Sequence, residues 1–287
     1  MATRSKIAVP RWLQVIGYPA AATVLTAFFV FLGFPYDLLA LRLSNAAESL
    51  DVRLRIGELS PYIGLAGLGL SATEVVAGAP GGRSVVIERL VLRPAWSFAW
   101  MRGMPAIHID VASEIGGGAG TVIVGATGGF DGRLEALRIA DLPIEMLEVV
   151  GIDGVLDADV DLHAADADAG GGLVGKVAFE LREGTLSAEG LPIALPFDRL
   201  HGSLHFGEEA AWLKMSGVQL EGPLLAGTIE GEVGQASTGA DRPLALQVAY
   251  VVRDEGLAGM FRSFGQPAED GSTRLSVSGT LAKPGIR

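Results

Sequence analysis

Residues Leu156–His163 read LDADVDLH, with Leu156, Ala158, Val160 and Leu162 alternating with Asp157, Asp159, Asp161 and His163. A period of two is what a β-strand produces when successive side chains point to opposite sides, here one dry and one wet. The same alternation recurs between glycine-marked turns along most of the chain. Leu50, Val52, Leu54 and Ile56 alternate with Asp51, Arg53 and Arg55, and Ile107, Ile109 and Val111 oppose His108 and Asp110. Leu225, Ile229 and Val233 oppose Thr228, Glu230 and Glu232. Near the C-terminus, Leu244, Leu246, Val248, Tyr250 and Val252 stand against Gln247 and Arg253, and Leu275, Val277 and Leu281 against Arg274, Ser276, Ser278 and Thr280. Strands of this kind, joined by short turns, predict an antiparallel meander with one face in water.

Two segments interrupt the pattern. Asp141–Val150 (DLPIEMLEVV) has a capping Asp, Pro143 near its start and Gly151 beyond its end, and Asp254–Phe264 (DEGLAGMFRSF) is bounded by Asp254 and Gly265. Both predict short helices that cap the sheet. Leu-Pro phrases at Leu142-Pro143, Leu191-Pro192 and Leu195-Pro196 precede strands at irregular spacing, which suggests a sheet grown from similar units and not a solenoid of fixed period. The expected fold is mainly β: an elongated, curved, mostly antiparallel sheet with short capping helices.

Forty glycines against four tryptophans and four tyrosines fit thin strands and tight turns. Gly116–Gly118 and Ala164–Gly172 are the expected loops. Cysteine is absent, so disulfides and thiolate metal sites are excluded and the fold must stand on packing and strand pairing.

Ahead of the strands, Trp12–Tyr36 (WLQVIGYPAAATVLTAFFVFLGFPY) runs 25 residues without a charge. At ~1.5 Å per residue such a helix exceeds the ~30 Å hydrocarbon core of a bilayer. Arg4, Lys6 and Arg11 precede it and Asp37 follows, so the positive-inside bias makes residues 1–11 cytoplasmic, 12–36 a transmembrane helix and 37–287 an exported β-rich domain. Trp12 and Tyr36 fall at the two headgroup layers, where an aromatic ring keeps its polar tip wet. A cleaved signal peptide competes with this reading, but the run is long for one, and Phe34, Pro35, Tyr36 and Asp37 make a poor cleavage site. Beyond the span, Leu39, Leu43, Ala46 and Leu50 trace one stripe of a short amphipathic helix on the outer membrane face. Leaving out the three basic residues before the span, 19 basic residues face 33 acidic ones, a net of −14. Such a domain is not built to hold nucleic acid.

Phe34-Pro35-Tyr36-Asp37, followed by leucines and Arg42, resembles the juxtamembrane motif of the type II secretion system protein N family. Leu195–Phe206 (LPFDRLHGSLHF), Leu220–Gly234 and Leu275–Arg287 are similar to the same family, and Gly279–Pro284 resembles a phrase of the wider AsmA-like group. The resemblance implies an inner-membrane-anchored, periplasmic scaffold component that supports export of folded proteins across the outer membrane. Its partners would be the bilayer, through the N-terminal helix, and other secretion proteins added to the open sheet edges as strands. The AsmA-like likeness implies an alternative, a lipid-binding or lipid-transfer protein whose dry sheet face holds phospholipid.

No catalytic, cofactor or metal residue is expected. Asp157, Asp159 and Asp161 start like a calcium loop, but Leu162 stands where that loop needs Gly, and in a strand the carboxylates lie roughly 7 Å apart. His201 and His205, roughly 13 Å apart on a straight strand, read as surface residues. His108 beside Asp110 and His163 beside Asp161 have no nucleophile motif near them. Gly67–Ala72 matches a dinucleotide fingerprint on paper but reads as a glycine-thinned strand. Trp96 and Trp100 read as core packing, with a membrane-facing or partner-facing patch as the sharper possibility.

Overall fold

The computed structural model describes residues 11–48, 52–64, 67–78, 84–96, 100, 103–125, 128–142, 151–165, 172–187, 193–207, 211–235, 242–261, 265–269, 271–280 and 283–286. Among these residues two helices, α1 (Arg11–Leu32) and α2 (Tyr36–Glu48), lead into sixteen strands that form one antiparallel sheet. The strands are β1 (Arg53–Arg55), β2 (Glu58–Gly64), β3 (Gly67–Gly78), β4 (Ser84–Pro94), β5 (Ala106–Ser113), β6 (Gly116–Ile123), β7 (Gly129–Arg138) and β8 (Val155–Ala164). They continue as β9 (Leu173–Leu186), β10 (Leu195–Phe206), β11 (Ala211–Glu221), β12 (Leu225–Gly234), β13 (Pro243–Val252), β14 (Gln266–Pro267), β15 (Thr273–Thr280) and β16 (Lys283–Ile286). From β3 to β13 each strand pairs with its successor in the chain; β1 and β2 line the outer side of β3, and β14 and β16 the outer side of β15. The two ends do not meet, so the sheet is open.

Register turns the two-residue pattern into continuous rungs across one face. Leu156, Leu181, Leu200 and Leu220 pair in succession, and the rung goes on through Gly227 to Tyr250. A second rung runs Val160, Val177, Leu204, Met215, Gly231, Leu246 and Val277. Removing this contiguous apolar surface from water is the main force holding the strands in register, since a slip of one residue would put every rung on the wet face. Buried clusters form where other segments close over it. Ile139 of a 3-10 turn (Ile139–Asp141) joins Leu181, Phe197 and Leu220, and α3 (Glu255–Phe261) brings Phe261 onto Tyr250 and Leu195. The Tyr250 hydroxyl donates to the Phe261 carbonyl at 2.9 Å, tying the helix end to the sheet.

The Asp254 cap is present, with Oδ1 accepting from the Leu257 N–H at 3.0 Å. The helix expected over Asp141–Val150 lies almost wholly outside the described residues, and Asp141 itself ends the 3-10 turn. Three further expectations are corrected. Gly116–Gly118 is strand, not loop: it opens β6, and its lack of side chains makes room for β7. A Cβ on Gly120 would come within 2.6 Å of the Phe130 ring, and one on Gly118 within 3.1 Å of Leu134 Cδ2. Of the strand expected over Leu50–Ile56, residues 50 and 51 lie outside the described residues, and within 52–56 the strand covers only Arg53–Arg55. Finally, α2 turns Leu39 and Ala40 to the core, while Leu43 is exposed.

Three non-glycine residues, Glu74 (φ 52°), Ala136 (φ 51°) and Glu183 (φ 52°), hold left-handed backbone in β3, β7 and β9, and Gly217 (φ 59°) does so in β11. At Ala136 and Gly217 the register also shifts, two residues opposing one. Such bulges bend a strand, and they let Leu134 and Leu137, three apart, both face the apolar side.

Candidate functional site

The four juxtamembrane residues form the joint between the helices and the sheet. Pro35 lacks an N–H, and its fixed φ suits the break after α1; the Leu38 N–H bonds the Pro35 carbonyl at 3.1 Å to open α2. Asp37 sits in the first turn of α2, where the helix dipole favours a negative charge. Tyr36 is 8% exposed and packs on Leu59, Ala72 and Val75. Its hydroxyl donates to the Phe31 carbonyl at 2.5 Å, one of the last carbonyls of α1 that has no partner within its own helix. Phe34, 46% exposed, lies edge-on to Tyr36 with ring centroids 5.5 Å apart. Trp12 lies in α1.

Among the described residues no single helix is long and apolar enough to cross a membrane. Gly17–Leu32 and Tyr36–Glu48, bent by 64° at their break, pass together on length and composition. Tyr18, Phe29 and Val30 of α1, and Leu38 and Leu41 of α2, are exposed apolar side chains.

Between this helix pair and strands β3 to β5 lies a cleft of about 660 Å³. Val30, Phe31, Phe34 and Leu39 line its helical side, and Leu70, Leu92, Ile107 and Trp100 its sheet side. A recess of about 190 Å³ follows on the same face, bounded by Ile109, Val111, Phe130 and Leu134. Trp100 satisfies its indole N–H on the Ala95 carbonyl at 2.9 Å, while Trp96 stacks on it at 4.8 Å and stays 68% exposed. The reading of both tryptophans as core is therefore corrected: one walls the cleft and the other stands in the open. The alternation in β5 was visible in the sequence, but only the pairing order shows that β3 to β5 face the end of α1.

The opposite face carries the charges. Arg133 reaches Asp159 at 2.7 Å, Arg182 bonds Asp157, and Arg199 meets Glu180 at 3.0 Å, so ion pairs step from β7 to β10. All are substantially exposed, and pairs of this kind each contribute about 0–1 kcal/mol. Asp157 also accepts the Ala136 N–H at 2.9 Å, which with Arg182 holds its carboxyl below the usual range despite its partial burial. The aspartates of LDADVDLH thus have separate basic partners; Asp161 lies 3.9 Å from His163. Among the described residues no three His, Asp or Glu groups are placed to hold a metal ion.

His108 bridges Thr121 (3.3 Å) and Asp110 (3.4 Å), the outline of a nucleophile, base and orienter. It sits in mid-sheet, where the neighbouring backbone N–H groups are committed to strand pairing and cannot stabilise an oxyanion. Gly67–Ala72 lies within β3, as a strand. His201 and His205 lie four residues apart along β10, each half-buried among cross-strand neighbours. Compared with known proteins, the chain matches no family model, no curated protein and no solved structure.

Proposed function

We propose that this chain is a membrane-anchored scaffold of a type II protein secretion apparatus, held in the inner membrane by a single span with its N-terminus in the cytoplasm and its sheet in the periplasm. The observation that carries the reading is the joint. The residues that resemble the protein N juxtamembrane motif, Phe34 to Asp37, are those that fix the apolar helix to the first strands. A scaffold needs a firm connection between anchor and display surface, and a buried tyrosine bonded back to the helix end supplies one. Deletion of the gene is expected to stop release of secretion substrates while their export across the inner membrane continues. Normal release would overturn the proposal. Reporter fusions at residues 5 and 287 test the topology, with the first expected on the cytoplasmic side and the second outside.

The cleft favours a second reading, a lipid-binding protein. Its volume falls within the ~300–1,000 Å³ typical of small-molecule sites, and its walls are almost wholly apolar. It opens beside the end of α1, where acyl chains of the surrounding bilayer would lie. Native mass spectrometry of the full chain released from nanodiscs separates the two. Stoichiometric phospholipid lost on Leu92→Trp supports the lipid reading, and an empty chain that co-purifies with secretion proteins supports the scaffold.

A further inference from the structure

The ends of the sheet are built differently from its middle. Strands β3 to β13 run 8 to 14 residues, whereas the segments on the two outer edges have 3, 7, 2 and 4. Three of those four edge segments contain a proline: Pro61 in β2, Pro267 in β14 and Pro284 in β16. The fourth, β1, is Arg-Leu-Arg with both arginines exposed.

In an antiparallel pair a residue points its N–H and C=O either both at its partner strand or both away. Proline has no N–H, so it fits the ladder only where that group would point away. Pro61 stands opposite Leu70, Pro267 opposite Thr273 and Pro284 opposite Gly279. In each of these three segments one donor that an incoming strand would need is therefore missing from the outer side. The other strand prolines obey the same rule. Pro94, Pro196 and Pro243 are each paired on one side only, so the side that lacks a donor carries no ladder bond there. Short, proline-bearing, charged edges are how sheets resist pairing with another chain.

We infer that both ends of this sheet are closed to strand addition. Neither a second copy nor an extended segment of a partner lengthens it. Strand addition by secretion proteins at the open edges, expected above with the family resemblance, is the opposite arrangement. The closure stands whether the chain serves secretion or lipid binding, because it rests on the edges alone.

The test compares the full chain with the variant Pro61→Val, Pro267→Val, Pro284→Val, in the same detergent, by light scattering and by infrared absorption of intermolecular strand pairing. The parent is expected to hold one copy per micelle at all concentrations. The variant should at least double in mass as concentration rises, with a new intermolecular band. Pro243→Val, which restores a donor inside the sheet, should behave as the parent. A folded triple variant that stays single-copy overturns the inference, as does a parent chain that shows the intermolecular band. Should the triple variant lose its circular dichroism, Pro284→Val alone decides, since its four-residue strand lies at the outermost edge: association supports the inference and a single-copy state overturns it.

Discussion

Replacing Leu181 by alanine tests whether the apolar rungs hold the sheet together. Leu181 is 1% exposed and touches Ile139, Phe197 and Leu220, with Leu156 and Leu200 as its cross-strand neighbours. Strand β9 is paired on both sides, so its backbone is not free to collapse into the space left behind. The cost should sit in the middle of the 2–5 kcal/mol seen for buried leucine truncation, at about 3 kcal/mol. Leu173, on the same strand but 53% exposed, is the control; Leu173→Ala should cost under about 1 kcal/mol. Urea unfolding of the full chain in detergent, followed by far-ultraviolet circular dichroism, reads the difference. With a slope of about 3 kcal/mol per molar, Leu181→Ala should lower the midpoint by about 1 M. Hydrogen exchange should show β8 to β10 opening before the strands far from the substitution, because each strand leans only on its neighbours. Equal midpoints for the two variants would refute the claim that the rungs carry the stability.

Three further expectations follow from named residues. Ala136→Gly relieves a left-handed backbone at φ 51° that costs alanine about 1–2 kcal/mol, against roughly 0.5–1 kcal/mol of added chain entropy, so the urea midpoint should rise slightly or hold, whereas Ala136→Val should lower it. Gly120→Val drives a side chain to within 2.6 Å of the Phe130 ring and 2.9 Å of the Asp131 carbonyl, and should cost about 1–3 kcal/mol by the same measurement. The Asp157 carboxyl is held below its ordinary range by the Ala136 N–H and Arg182, so the stability it contributes is complete above about pH 4 and is lost as pH falls through its lower folded value. Asp157→Asn should therefore be less stable than the parent at pH 7, and the gap should narrow at pH 3.

Much of the architecture was legible because burial on one face imposes a period of two wherever a strand is long enough to show it. LDADVDLH became β8 with its dry and wet sides as read, and Asp254 capped a helix as its spacing suggested. The misreadings have physical causes. Gly116–Gly118 carries no side chain, so it had no alternation to display, although the reason for its bareness is the closeness of Leu134 and Leu137 on the next strand. Glu74, Ala136 and Glu183 are residue types with no preference for left-handed backbone, and the bulge at Ala136 shifts the alternation without leaving a mark in the sequence. The joint was flagged through Phe34 to Asp37, but the cleft was not, because its walls come from segments far apart in the chain.

The unbroken succession of neighbours from β3 to β13 bears on how such a chain is made. A polypeptide that emerges amino end first never has to wait for a distant partner; each new ribbon finds the one before it already in place. The molecule can be laid down like planking, one board against the last, and hairpins could be gained or lost over generations with the remaining boards undisturbed. Extent, in this design, is a quantity that selection can adjust without inventing a new shape.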